Sequence, residues 1–432
     1  MFRWFNSFLQ NSDILDKTTI PPPSFKLINE LPNNPPLGIP NRSGTTCFLN
    51  ALLQALASSL AVQNHLVSFI SNPNLNTSTS SLLLQTLRHL LSSTTPSSPI
   101  LDITPLEKQL KRSFPQLFNG VHQDAQELLT LLVDILEKEQ NATPFRRKTS
   151  TLVLLDETPS SSSASSSSFS SQFTPLLGFT STSLKCTVCE SLSPLQLQSF
   201  NSITIYPNPS HPTNQLSQML PKLFKGPGEM VNGVECTKCW VLSLLQENEA
   251  DLSRLSSFIT QNENEIDAED DEDIRIRKYV GELRSQSLQF TNTLSVFDSL
   301  VDPFPPTLHP PTLPRQTMLK SEHLLRSGKL LIFHINRALL QGSQKDQTKV
   351  SFTEYLNVAP LLLNHSSSNS HLYKLISVIE HRGGTRYCGH FVAYTRRNDL
   401  WYECNDSSVT QVPLDFVLRA PQAYLLFYEK QV

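Results

Sequence analysis

Apolar residues change their spacing along this chain, and that change bounds the fold. From Cys47 to Leu60 they recur as Phe48, Leu49, Leu52, Leu53, Leu56 and Leu60, the spacing of one helical face. A second helix is predicted over Asp124–Lys138, with Leu128, Leu131, Leu132, Ile135 and Leu136 on one side. The C-terminal quarter reads differently. It holds short β-rich runs, Leu330–Ile335, Tyr373–Glu380, His390–Thr395, Leu400–Cys404 and Ala423–Tyr428, separated by Gly, Asn and Asp. Helices gathered early and antiparallel strands gathered late predict an α+β fold, with no internal repeat.

With 432 residues the chain can bury a large core, yet only 38% of it is hydrophobic and it carries 30 Pro against 13 Gly. Insertions diluting an ordered core account for that balance. Residues 1–36, with Pro21-Pro22-Pro23 and Pro35-Pro36, read as an extended leader, and order is expected to begin near Leu37. The serine run 158–172 has almost nothing to bury and reads as disordered. The polar stretch 246–278, with its acidic run Asp267–Asp273, reads as a solvated, mobile insertion, a helical arm being the alternative. Pro303, Pro305, Pro306, Pro310, Pro311 and Pro314 make 303–315 a stiff loop. A net charge of −3 gives no electrostatic reason to expect nucleic acid as a partner. There is no run of 18 apolar residues to span a membrane, and MFRWFNSFLQ lacks the small-residue cleavage site of a signal peptide. The expected compartment is cytosol or nucleus.

Seven cysteines are odd in number and few for a disulfide framework. Four of them form the pairs Cys186-x-x-Cys189 and Cys236-x-x-Cys239, with 46 residues between the pairs. Two such turns can close a tetrahedral site for structural Zn²⁺, the alternative being four ordinary reduced thiols. Cys47 stands where a helix should begin, with Thr45 or Thr46 able to cap it. The partial positive charge of a helix N-terminus suits a thiolate, the form in which cysteine is a nucleophile. A base must come from elsewhere. His390 follows glycines in GGTRYCGHFVAY and opens a β-run, and Asn405 ends the next one in WYECNDSSV. Adjacent antiparallel strands would set Asn405 beside the imidazole to hold its tautomer. Spacing alone equally fits a structural histidine.

Several segments carry a resemblance. GIPNRSGTTCFLNALLQALAS resembles the cysteine box of the ubiquitin-specific proteases, and GVHQDAQELLTLLVDIL is similar to their QDA box. GGTRYCGHFVAYTRR and WYECNDSSVTQV resemble their histidine box, and LLIFHINR, KVSFTEYL and AYLLFY resemble further recurring segments, all in the family's order. The resemblance implies a catalytic domain over 37–430 with a papain-like core. Thumb helices would carry Cys47, an antiparallel palm sheet would carry His390 and Asn405, and fingers would bind zinc through Cys186, Cys189, Cys236 and Cys239. It implies a Cys47-His390-Asn405 triad with Asp406 as a secondary polar partner, and Asp124 as a contact to the ubiquitin tail. Asp124 also suits a helix N-terminus, and both roles are compatible.

The implied reaction is that of a deubiquitinating isopeptidase acting through an acyl-enzyme, with ubiquitin and ubiquitinated proteins as partners. The alternatives are a catalytically weak ubiquitin-binding scaffold and a protease for another ubiquitin-like modifier. One position departs from the family pattern. The oxyanion Asn expected five residues before the nucleophile is replaced by Arg42, and Asn41 stands six before. A bulge at Ser43-Gly44 would let Asn41 reach the site still, the alternative being a hole of backbone N–H groups, including that of Cys47. Of the remaining thiols, Cys388 is read as a bystander on the strand face of His390, and Cys404 as core.

Overall fold

The computed structural model describes residues 27–70, 78–92, 100–141, 175–193, 196–210, 214–225, 228–261, 271–297, 313–338, 344–362, 371–385 and 388–431. The serine run 158–172 and most of 303–315 lie outside them. The chain divides into two compact units, one holding the residues up to Ser171 with Thr395–Gln411, the other holding the rest.

In chain order the elements are α1 (Cys47–Ala57), α2 (Leu60–Ile70), α3 (Thr79–Leu90), α4 (Thr104–Ser113), α5 (Ala125–Asn141), β1 (Gly178–Cys186), β2 (Gln196–Phe200), β3 (Ile203–Ile205), β4 (Asn214–Gln215), α6 (Leu216–Lys225) and β5 (Glu229–Glu235). There follow α7 (Thr237–Gln261), α8 (Asp271–Phe297), β6 (Arg315–Arg326), β7 (Leu330–Ile335), β8 (Val350–Ser351), β9 (Tyr355–Asn357), β10 (Leu372–Arg382), β11 (His390–Arg397), β12 (Leu400–Asn405), β13 (Ser408–Val412), α9 (Leu414–Leu418) and β14 (Ala423–Lys430). The α+β class expected from the apolar spacing is the class observed.

In the first unit α1 is buried at every residue and packs on α2, α3 and α5. Leu52, Leu53 and Leu56 meet a core that includes Leu83, Leu84, Leu87, Leu128 and Leu132, each at most 2% exposed. Each such side chain contributes about 1.5–3 kcal/mol relative to exposure. The apolar period suggests one helix through Leu60, but the chain breaks at Ser58-Ser59. The Ser59 hydroxyl accepts from the Val62 N–H at 3.2 Å and starts α2 afresh. Order also begins earlier than Leu37. Ile28 exchanges two hydrogen bonds with the Asn64 side chain, and Asn34 Nδ2 donates to the carbonyls of Leu91 and Ser92. The tail of this unit is β12 and β13, joined by a tight turn at Asp406-Ser407.

In the second unit β11, β10, β14, β7 and β3 are neighbours in that order, and β9 also pairs with β10. β10–β14 and β14–β7 are antiparallel, with Val378 opposite Leu426 and Phe333 opposite Leu426 across the next ladder, while β3 joins β7 in parallel. The central strands are buried on both faces, which explains their nearly continuous apolar sequence. A separate sheet runs β2-β1-β6-β5.

The stretch 246–278 differs from the solvated insertion expected of it. Residues 246–261 continue α7 and residues 271–278 open α8, and the two helices pack on each other. Val280, Leu283 and Phe290 are buried along α8, with Ile276, Ser287 and Leu294 half-buried at the same spacing. This is a seam of roughly 3.5 residues per repeat hidden among polar residues. Asn248 Nδ2 reaches Ser287 Oγ across the pair at 3.5 Å. Among the described residues no helix is long and apolar enough to cross a membrane.

Candidate active site

Cys47 is the first residue of α1 and is 0% exposed. Thr46 occupies the N-cap position, but its side chain does not cap the helix as the sequence suggests. Its hydroxyl and its N–H both turn to Asn41 Oδ1, at 3.0 and 3.1 Å. The turn before the helix explains how. The Gly44 N–H donates to the Asn41 carbonyl at 3.3 Å, and Gly44 has φ +76°, a conformation open to a residue without Cβ. The additional residue of GIPNRSGTTC is taken up in this turn, and the Asn41 carboxamide faces the start of α1.

The other side of that carboxamide is held from the turn between β12 and β13. Asn41 Nδ2 donates to Asp406 Oδ2 at 3.1 Å, and Asn50 Nδ2, from the second turn of α1, donates to Asp406 Oδ1 at 2.8 Å. Asp406 itself has φ +50°, an unusual backbone for a residue other than glycine. The strand approaching the nucleophile is locked to the same turn. The Ile39 N–H donates to the Asp406 carbonyl at 2.8 Å, and a Cβ on Gly38 would lie 2.3 Å from the Ser407 carbonyl oxygen. Arg42 points elsewhere, with Nη2 3.6 Å from Asp102 and Nη1 3.4 Å from the Thr104 hydroxyl. Asn405 ends β12 immediately before Asp406 and is half-buried.

Asp124 caps α5. Its Oδ1 accepts from the N–H groups of Gln126 and Glu127 at 2.6 and 3.2 Å. Cys404 is core, hydrogen-bonded to the Thr395 hydroxyl at 3.6 Å, and burial pushes its thiol up to about 11.

In the second unit His390 opens β11 and is half-buried. Cys388 is not on that strand, as the sequence reading has it. It lies exposed in the preceding turn, where its N–H and carbonyl engage the Thr385 hydroxyl at 3.0 and 3.1 Å. Beneath the turn, the His381 ring stacks on Phe391 at 4.3 Å between centroids.

The four paired cysteines converge in this unit. Cys186 ends β1, Cys189 lies in the turn after it, Cys236 follows β5 and Cys239 sits in the first turn of α7. Their sulfurs all lie within 4.8 Å of one another, with Cys186–Cys239 at 3.6 Å and Cys189–Cys236 at 3.5 Å. A tetrahedral zinc with bonds of about 2.3 Å needs sulfur–sulfur edges of about 3.8 Å, so the donor set fits that ion. Burial pushes the thiols of Cys236 and Cys239 up, while at Cys186 burial is outweighed by hydrogen bonds from the surrounding backbone and sulfurs, which bring it down to about 7. These residues can hold a metal ion.

Sequence reasoning missed Asn50 and Gln54. Gln54 Nε2 bonds the Leu37 carbonyl at 2.6 Å, as Asn50 bonds Asp406. The available signal was two amides four apart on the buried face of an otherwise apolar helix.

A mouse protein, ubiquitin carboxyl-terminal hydrolase 17-like protein C, is 32% identical over 114 residues, which are 26% of this chain and only 20% of that protein's length. Zebrafish ubiquitin carboxyl-terminal hydrolase 30 is 24% identical over 90% of this chain and 84% of its own. The solved SAGA Ubp8/Sgf11/Sus1/Sgf73 DUB module bound to ubiquitin aldehyde has the same fold. It gives a TM-score of 0.59 at 17% identity over 92% of this chain and 70% of the matched chain. Residues 37–428 match the family described as ubiquitin carboxyl-terminal hydrolase, and the chain belongs to that family.

Proposed function

We propose that the chain is a deubiquitinating thiol isopeptidase that cleaves after the C-terminal glycine of ubiquitin. The observation that carries this reading is Cys47 at the buried first turn of α1, with the Asn41 carboxamide fixed beside it. Family membership and the likeness to a DUB module bound to ubiquitin aldehyde support the same reading.

In the proposed reaction His390 takes the Cys47 proton, and the thiolate attacks the glycine carbonyl carbon. The oxyanion so formed is met by donors at the start of α1, with Asn41 Nδ2 the side-chain candidate. The C–N bond breaks as the imidazolium returns its proton to the departing lysine amine. His390 then deprotonates a water, which attacks the thioester and releases the ubiquitin carboxylate and the Cys47 thiol. Asn405 orients the imidazole, Asp406 positions Asn41, and Asp124 meets the extended tail of ubiquitin. Zinc held by Cys186, Cys189, Cys236 and Cys239 would cross-link β1 to α7 and take no part in bond breaking.

Incubating the protein with ubiquitin bearing a C-terminal electrophile, in parallel with other modifiers so armed, tests the reading. Labelling of Cys47 by the ubiquitin probe is the expected result. Labelling by another modifier instead, or by none, would overturn the substrate or the activity respectively.

A further inference from the structure

A buried lysine outside the residues described so far stands against the turn that carries His390. Lys345 is 4% exposed. Its Nζ donates to the His381 carbonyl and, at 3.4 Å, to Gln422 Oε1. That same Oε1 accepts the Gly383 N–H at 2.9 Å, and the Lys345 N–H donates to the Gly384 carbonyl at 3.1 Å. One side chain and one backbone group of Lys345 thus grip residues 381–384, where β10 leaves the sheet toward His390.

The grip is mounted on a rigid frame. The Arg337 guanidinium donates to the carbonyls of Asp346 and Thr348 on the lysine's segment, and to those of Pro421 and Ala423 at the start of β14. Gln422 is fixed in turn, its N–H donating to Glu380 Oε1 at 3.2 Å and its Nε2 to Gln347 Oε1 at 2.6 Å. What the frame fixes is the ring of His381. A Cβ on Gly389 would lie 2.2 Å from His381 Nε2, and Phe391 stacks on the ring with only 12° between planes. The two chain neighbours of His390 therefore both rest on His381, whose own carbonyl Lys345 holds.

We propose that Lys345, with Gln422, is a positioning residue for His390: it clasps the β10–β11 turn and sets the His381 ring beneath Gly389 and Phe391. The inference rests on the catalytic role given to His390 above. Arg337 and Glu380 are the charged groups that act on the ammonium, and Asp346 acts on Arg337 in turn. Glu380 Oε2 is committed to Arg382 Nε and the Tyr394 hydroxyl, at 2.9 and 3.0 Å. Lys345 makes no ion pair among the described residues, and its bonds go to a carbonyl and an amide oxygen at the turn. A charge-assisted bond is stronger and shorter than a neutral one, and misplacing a reacting group by about 1 Å costs about a hundredfold in rate.

The test compares the full chain with Lys345→Met and Gln422→Ala, using hydrolysis of a ubiquitin C-terminal fluorophore and the imidazole ¹⁵N signals of His390. Lys345→Met should lower kcat tenfold or more with KM within twofold, and shift or broaden the His390 signals. Gln422→Ala, on a half-buried residue, should act in the same direction more weakly, and carries the test if the lysine variant does not fold. Folded variants with unchanged kcat and unchanged His390 signals would overturn the proposal. Should the unaltered chain hydrolyse no ubiquitin substrate, the deubiquitinase reading fails on its own, and the His390 signals still decide whether the clasp exists.

Discussion

Asn41 and Asp406, 365 positions apart in sequence, meet through a 3.1 Å hydrogen bond beside the first turn of α1. A carboxylate can only accept, so the bond fixes which end of the Asn41 amide is nitrogen. Asp406 Oδ1 is taken by Asn50, whose Nδ2 also donates to the Ile39 carbonyl at 3.3 Å, so the carboxylate cannot turn away without breaking two side-chain bonds at once.

Asn41→Ala should therefore slow turnover on the order of a hundredfold, the effect of losing one oxyanion donor of about 3 kcal/mol, with little change in KM. Arg42→Ala should turn over normally, since Arg42 is turned toward Asp102 and Thr104. Steady-state kinetics showing the reverse pattern would transfer the oxyanion role to Arg42.

Cys47→Ala should abolish cleavage while ubiquitin affinity, measured by calorimetry, stays within a few-fold. His390→Ala should be comparably severe. Asn405→Ala should be milder, because an orienting residue tunes an ion pair that forms without it. Appreciable turnover by the purified Cys47 variant would remove Cys47 from its role.

One zinc per chain should be found by elemental analysis of protein purified without chelator. Cys236→Ser should lose it, and should weaken ubiquitin binding before it touches kcat. Zinc-free wild-type protein of full activity would refute the assignment.

Lys345 gives a pH signature. Burial, and then the nearby Arg337 charge, lower its pKa from 10.5 to about 8, with Glu380 opposing. Below about 8 the ammonium is protonated in both folded and unfolded chains, and its burial cost is felt in full. Between about 8 and 10.5 the folded chain gives up the proton while the unfolded chain keeps it, so this group's effect on stability improves as pH rises. Melting temperatures of wild type against Lys345→Met should shift in favour of wild type between about pH 7 and about pH 10. A constant difference across that range would place the pKa of Lys345 elsewhere.

The strands of the C-terminal quarter were legible because each is a short apolar run closed by Gly, Asn or Asp, and all five predicted runs are strands. Cys47 at a helix start was legible for the same local reason. The network around it was not. Asn50 lies four residues before Gln54 in a helix that otherwise reads as core, and its partner Asp406 stands 356 positions away. Nothing local marks such a pairing. The α7–α8 pair was obscured differently, because its seam of Val280, Leu283 and Phe290 is thin and the surrounding charge dominates the composition. Lys345 is harder still, since a lysine in QGSQKDQTKV carries no sign that it is buried.

Helix α7 starts at the cysteine cluster and runs 25 residues, about 38 Å at 1.5 Å per residue. Cys239 lies in its first turn, so the sulfurs act as a fulcrum at the short end of a long lever. A tilt of about 10° at the base carries the far end through about 7 Å over such a length. Oxidation or metal exchange among four thiols, chemistry on the scale of single bonds, would thus be magnified into a displacement that a pair of fluorophores on the arm can register.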